Sequence, residues 1–193
     1  MNPDLTCSMT EQNLLKAFAG ESQARGRYTF FAKQAKKEGY EEIAKYFAKT
    51  AINEEEHSKI FFKYLERNAL LEITAAYPAG IIGSTLDNLK HAAESEYDEW
   101  FNIYPYFAQV AKEEGFDEIS RTFNLIVEVE KHHENRYTEL FDLLKKDRIF
   151  NKEEKILWEC IKCGYHCEFT HPPGICPICK HPTAYFEVFN DAY

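Results

Sequence analysis

Asn53-Glu54-Glu55-Glu56-His57 sets a glutamate three residues ahead of a histidine, and Glu130-Lys131-His132-His133 repeats the spacing. On a helix, positions i and i+3 share one face, so the carboxylate and imidazole of each pair can grip one cation together. Two such pairs, with further glutamates on neighbouring helices, describe a two-metal carboxylate site inside a four-helix bundle. One Glu-x-x-His is an ordinary helix-surface pattern; its recurrence is what gives the reading weight.

The rest of the chain fits four helices. Thr10 to about Glu38 is rich in helix formers, with Leu14, Leu15 and Phe18 at helical spacing and Gly39 placed for a left-handed cap. A second helix is expected from about Tyr40 to Arg67, followed by about fifteen residues without helical period that contain Pro78, Gly80 and Gly83. That is longer than antiparallel neighbours need, so it reads as a crossover along the bundle. Ser84-Thr85-Leu86-Asp87 is a capping-box pattern opening a third helix that Gly115 ends, and Phe116 to about Lys146 makes a fourth. The halves repeat: Ala35-Lys36-Lys37-Glu38-Gly39-Tyr40 returns 76 positions later as Ala111-Lys112-Glu113-Glu114-Gly115-Phe116, and the same shift carries Glu54 to Glu130 and His57 to His133.

Each hairpin should also bring a carboxylate from its first helix. Glu21 stands among small residues in the first; Glu94, Glu96 and Glu99 are candidates in the second. The 76-residue shift would set Tyr97 opposite Glu21, so the register slips by one residue nearby, which favours Glu96 and Glu99 over Glu94. Five carboxylates (Glu21, Glu54, Glu96, Glu99, Glu130) facing an apolar interior need compensating charge, and two cations supply it within about one unit in either the divalent or the trivalent state. Oxygen and nitrogen donors without thiolate favour iron or manganese. Glu55, Glu56, Glu113 and Glu114 read as solvated surface charges. His132, His91, His166, His171 and His181 lack ligand spacing.

The C-terminal part carries Cys160-Ile161-Lys162-Cys163 and, twelve residues on, Cys176-Pro177-Ile178-Cys179. Four thiolates on two tight turns suit zinc or a single iron. About forty residues bury too little core to fold without such a staple. Cys167 lies inside the gap and departs from the pattern, as a small thiol or a competing ligand; Cys7, near the start, is given no role. A net charge of -9 excludes a nucleic-acid partner or an anionic membrane surface. No apolar run is long enough to span a bilayer, Met1-Asn2-Pro3-Asp4 has no leader character, and paired Cys-x-x-Cys motifs point to metal rather than disulfides, so the cytoplasm is the expected compartment.

Ala17-Phe18-Ala19-Gly20-Glu21-Ser22-Gln23-Ala24-Arg25-Gly26-Arg27-Tyr28 resembles the first-helix signature of the rubrerythrin family, and Tyr77-Pro78-Ala79-Gly80-Ile81-Ile82 resembles its crossover. The resemblance implies a ferritin-like all-α four-helix bundle over residues 1–148 and a small rubredoxin-like knuckle over residues 149–193. It implies two irons held by Glu21, Glu54, His57, Glu96, Glu99, Glu130 and His133, one of them moving between His57 and Glu99 as the oxidation state changes. Tyr28 and Tyr104 match tyrosines that hydrogen-bond the ligands. Cys160, Cys163, Cys176 and Cys179 would hold a single iron as a one-electron carrier, where spacing alone would favour zinc. The implied activity is that of a cytoplasmic peroxidase taking hydrogen peroxide to water. Electrons would come from rubredoxin or an NAD(P)H-dependent reductase, in a head-to-tail homodimer whose knuckles serve opposite bundles. Ferroxidase or iron-handling chemistry and a zinc-ribbon binding module are the alternatives. A ferric tetrathiolate absorbs visible light and zinc does not; the air-oxidised protein is expected to be coloured, and a colourless knuckle with zinc by elemental analysis would select the last alternative.

Overall fold

The computed structural model describes residues 4–65 and 67–190. Helix α1 runs Met9–Lys37, α2 Glu41–Tyr64, α3 Thr85–Asp98, α4 Tyr104–Glu113 and α5 Asp117–Lys145. One π-helical turn, Glu99–Ile103, joins α3 to α4, so the expected third helix is a single rod with a bulge at its middle. The second helix ends at Tyr64, three residues short of the expected Arg67.

The helix ends follow from local chemistry. Ser8 caps α1 by accepting from the Glu11 N–H, and Ser84 and Asp87 form the reciprocal capping box of α3. Gly39 (φ +85°) and Gly115 (φ +88°) take the left-handed conformation that stops α1 and α4. Beyond them the Tyr40 and Phe116 amides reach back to the Ala35 and Ala111 carbonyls at 2.9 and 2.8 Å, the same closure in both halves. Glu114, expected to be a solvated charge, instead accepts from the backbone N–H groups of Met9 and Thr10 and the Thr10 hydroxyl. Its repeat mate Glu38 accepts from the Thr85 N–H at 2.8 Å. Each carboxylate therefore seats the first turn of the other hairpin, where unpaired N–H groups favour an anion.

The π turn accounts for the slip in the repeat. Before it the halves match at a shift of 75: Thr10 with Thr85, Asn13 with Asn88, Leu14 with Leu89, Glu21 with Glu96. After it the shift is 76, Tyr28 with Tyr104 onward. One inserted residue is absorbed as an i→i+5 turn, the usual form of a π-bulge, and it begins at Glu99.

The bundle interior divides in two. Tyr28, Phe31, Phe47, Tyr137 and Leu140 pack together towards one end, with Ile149 against them. Leu14, Phe61, Tyr104, Phe107, Phe123 and Ile126 form the other cluster. Between them, near mid-length of the helices, lie the buried carboxylates. Residues 67–84 form the crossover, without helix and largely exposed, and the Tyr77 hydroxyl anchors it by donating to the Lys16 carbonyl at 2.8 Å.

The knuckle is a three-stranded antiparallel sheet, order β2-β1-β3, from β1 Ile156–Cys160, β2 His166–Phe169 and β3 Phe186–Val188. Trp158 and Phe186 fill its small core, and the Trp158 indole N–H donates to the Phe169 carbonyl at 2.9 Å. It is moored to one end of the bundle. Phe150 stacks on Tyr40 with ring centroids 6.1 Å apart, and Lys45 donates to both Glu187 oxygens at 2.9 Å.

Deleting the exposed Asn102 would restore plain α register and turn one half of the rod against the other by about 100°. The expected result is a helical protein that has lost the bundle's metals but keeps the one at the cysteines, read by circular dichroism and elemental analysis; full retention of the bundle metals would contradict this role for the bulge.

Candidate metal centre

Glu54 and His57 lie one turn apart on α2, Glu130 and His133 one turn apart on α5. Glu21 comes from α1, Glu96 from α3, and Glu99 opens the π turn. All seven are buried. The pairs face each other across the bundle, with imidazole centroids 6.2 Å apart. His57 Nδ1 is 2.9 Å from a Glu54 oxygen, 2.8 Å from Glu130 and 3.8 Å from Glu21. His133 Nδ1 is 2.7 Å from Glu130, 3.3 Å from Glu54 and 3.6 Å from Glu96.

These contacts resolve into two donor sets, Glu21–Glu54–His57–Glu130 and Glu54–Glu96–Glu130–His133, with one ligand atom from each member of a set within 4.8 Å of the others. Glu54 and Glu130 belong to both, as two carboxylates bridging a cation pair would. Glu21 Oε2, both Glu54 oxygens, His57 Nδ1, Glu96 Oε2 and Glu130 Oε1 are buried with no hydrogen-bond partner. His57 Nδ1 approaches two carboxylates closely yet at angles that make no hydrogen bond. Buried ligand atoms crowded this closely and left without hydrogen bonds fit a pair of oxygen- and nitrogen-ligated cations. Glu99 is buried beside them but lies outside both sets. Glu94 is exposed and lies near Lys90 and His91, at 3.8 and 3.6 Å.

Two phenols clamp this cluster crosswise. The Tyr104 hydroxyl donates to Glu21 Oε1 at 2.5 Å, and the Tyr28 hydroxyl donates to Glu96. Each tyrosine thus holds the carboxylate of the other hairpin. Both phenols are pushed well above their ordinary pKa, first by burial and then by neighbouring carboxylates, so both keep their protons. Burial, reinforced by Glu130 and Glu54, raises the Glu21 carboxyl well above its usual range. Burial likewise raises Glu99, reinforced by Glu96, and lifts Glu96 to about 7. For the histidines burial acts downward, but the carboxylates of Glu130 and Glu54 prevail, taking His57 to about 10 and His133 to about 12.

The four cysteines also converge. Cys160 and Cys179 sulfurs are 3.6 Å apart, as are those of Cys163 and Cys176, and all four make one cluster. Burial raises the Cys176 thiol, yet the Cys179 and Ile178 amides donating to its sulfur bring it down to about 6, which favours the thiolate a metal needs. Cys167 is buried in the small core opposite Trp158, outside the cluster. Cys7 is exposed. His132 is exposed, His91 faces Glu94, His166 is 3.8 Å from Glu159 and His171 bonds Thr170.

Sequence reasoning missed two features of the site. The π turn that sets Glu99 apart was visible only as the slip in the repeat. Asn53, whose Oδ1 lies 3.3 Å from His133 Nε2, carried no signal beyond its place before Glu54.

Residues 12–141 match the rubrerythrin family model, and residues 158–187 match that of the rubrerythrin rubredoxin-like domain. A rubrerythrin of Porphyromonas gingivalis is 52% identical over 193 residues, covering 100% of this chain and 96% of that protein. Nigerythrin in its mixed-valence state superposes with a TM-score of 0.63 at 28% identity, over 98% of this chain and 94% of the other. A bacterioferritin, BfrA of Mycobacterium tuberculosis, shares the bundle fold with a TM-score of 0.62 at 17% identity, over 76% and 90% of the two chains. Among the described residues no helix is long and apolar enough to cross a membrane.

A pH dependence follows for the metal-free protein. Glu96 (about 7 folded, 4.5 ordinarily) and His57 (about 10 folded, 6.5 ordinarily) both bind protons more tightly when folded. Their contribution to stability is complete below the ordinary values and is lost as pH rises through the folded ones. The thermal midpoint of the metal-free chain should therefore fall as pH rises from about 5 to 9, whereas the loaded chain, whose cations need deprotonated donors, should hold or gain. Scanning calorimetry of both forms checks this; a metal-free midpoint that climbs over that window would contradict it.

Proposed function

This chain belongs to the rubrerythrin family, and from that premise we propose that it is a cytoplasmic peroxidase that reduces hydrogen peroxide to water in defence against oxidative stress. The family is of oxidoreductase type and binds two irons in the bundle and one at the four cysteines, and the donor chemistry of both clusters here fits those groups. The observation that carries the reading is that a four-thiolate cluster and two histidine–carboxylate sets sharing Glu54 and Glu130 occur on one chain. When bound, the ferrous pair supplies the two electrons that cleave an O–O bond in one event, without releasing a hydroxyl radical.

The chain's own residues divide the work. Glu21, Glu54, His57, Glu96, Glu130 and His133 would hold the cation pair, Glu54 and Glu130 being the members common to both donor sets. Glu99 and His57 would be the alternate ligands of one position; Glu99 opens the π turn, where its repeat mate in the first hairpin is Ala24. Tyr28 and Tyr104 fix Glu96 and Glu21 and keep protons beside the reacting oxygens. The two apolar clusters exclude bulk water on either side. Residues 1–148 thus house the reaction. Residues 149–193 carry electrons through Cys160, Cys163, Cys176 and Cys179, received from rubredoxin or from an NAD(P)H-dependent reductase.

A head-to-tail homodimer completes the route. The knuckle is moored near Lys45, and His57 lies twelve residues further along α2, about 18 Å away at 1.5 Å per residue. A second subunit's knuckle could approach the site from the side.

Rapid mixing of the fully reduced protein with peroxide, and separately with dioxygen, tests the assignment. Peroxide should oxidise the bundle's iron much faster; the reverse order would end the proposal. Tyr104→Phe should slow the peroxide reaction by about 10²–10⁴-fold if its phenol serves as the proton donor, with metal content retained.

A further inference from the structure

The two Glu-x-x-His helices are mates under the 76-residue shift, so each contact of one has a counterpart position on the other. His133 Nδ1 faces the carboxylates, while its far nitrogen, Nε2, donates to Asn53 Oδ1 at 3.3 Å, the long end of the hydrogen-bond range. Shifting Asn53 forward by 76 gives Val129, and shifting His133 back gives His57. Where the first half offers His133 an amide acceptor, the second offers His57 an aliphatic side chain. Among the described residues, His57 Nε2 makes no hydrogen bond. Both Asn53 and Val129 are partly buried, so exposure alone does not account for the difference.

An imidazole that binds a cation through Nδ1 carries its proton on Nε2. An acceptor there fixes the tautomer, holds the ring plane and makes Nδ1 a better donor; removal of such a partner generally costs metal affinity. A histidine without one is free to turn about its side-chain torsions. The pairing at Asn53 is thus a physical asymmetry between two otherwise matched positions. We propose that Asn53 is a positioning residue that locks His133 and makes the two metal positions unequal, so that the Glu96–His133 position binds a divalent cation first and more tightly than the Glu21–His57 position. This rests on the reading of both donor sets as metal ligands. It adds which position fills first and which residue decides.

The test uses the full chain with its four-cysteine cluster filled by zinc and its bundle free of metal, titrated with cobalt(II) and followed by visible absorption. The wild type should bind two cobalt ions in two resolved steps, and a crystal with one equivalent should show the anomalous signal beside His133. Asn53→Val, which copies the other half, should weaken the first step by about 10–100-fold and merge it with the second. Asn53→Gln should recover part of the difference through a longer amide. Val129→Asn should strengthen the second step, and as a partly buried helix position it offers a readout should the Asn53 variants fold poorly. Two equal steps in the wild type, the first ion beside His57, or an unchanged titration in Asn53→Val would overturn the proposal while leaving the metal assignment standing. If the wild-type bundle took up no cobalt, the metal reading itself would fail.

Discussion

The structure depends on keeping five glutamates and two histidines inside a helical bundle. Isolated burial of that much charge would cost far more than the net stability of a domain. Two cations set four or six positive charges against the five negative ones, leaving about one unit of net charge, negative or positive, in either oxidation state. Much of the remaining architecture serves this constraint. The helices run long enough to set an apolar cluster on each side of the centre. The phenols of Tyr28 and Tyr104 fix two of the carboxylates without adding charge.

The same constraint explains why the hairpins are crossed rather than merely packed. Tyr28 of the first hairpin holds Glu96 of the second, and Tyr104 of the second holds Glu21 of the first. Glu38 and Glu114 make the reciprocal contacts at the helix starts, Glu38 to Thr85 and Glu114 to Thr10. Neither hairpin can form its half of the centre alone, because every metal position draws donors from both. Folding and metal binding are coupled through that sharing. One inserted residue then breaks the symmetry at Glu99, a buried carboxylate beside both donor sets where the first hairpin has Ala24.

What could be read in the sequence, and what could not, divides along physical lines. Helical period, the glycines after each hairpin's first helix and the capping box at Ser84 are local, and the helices begin and end within a few residues of the positions they indicate. The Glu-x-x-His pairs and the Cys-x-x-Cys pairs are local too. The convergence of the Glu-x-x-His pairs needed only the repeat to be noticed, and that of the cysteine pairs only their own spacing. The π turn was harder: it leaves no composition of its own, only a one-residue discrepancy between two faint copies. Glu114 was misread as a solvated charge because its partner is the start of α1, more than a hundred residues away. Asn53 was passed over for the same reason, its significance lying in a ring on another helix.

The mooring of the knuckle shows how weak surface contacts can still be decisive. Lys45 with Glu187 is a half-exposed ion pair, and such pairs contribute little stability on their own. Phe150 adds more, since it stacks on Tyr40 and packs against both the bundle's apolar cluster and the knuckle's. Together they hold the four-cysteine cluster at the end of the bundle where α1 turns into α2, while the two-histidine centre sits near mid-length. Ile175 and Ile178, beside Cys176 and Cys179, face solvent. Mooring through Phe150 and Lys45 fixes the sheet that carries the cysteines to the bundle while leaving Ile175 and Ile178 in solvent, so two modest contacts set where the cluster sits.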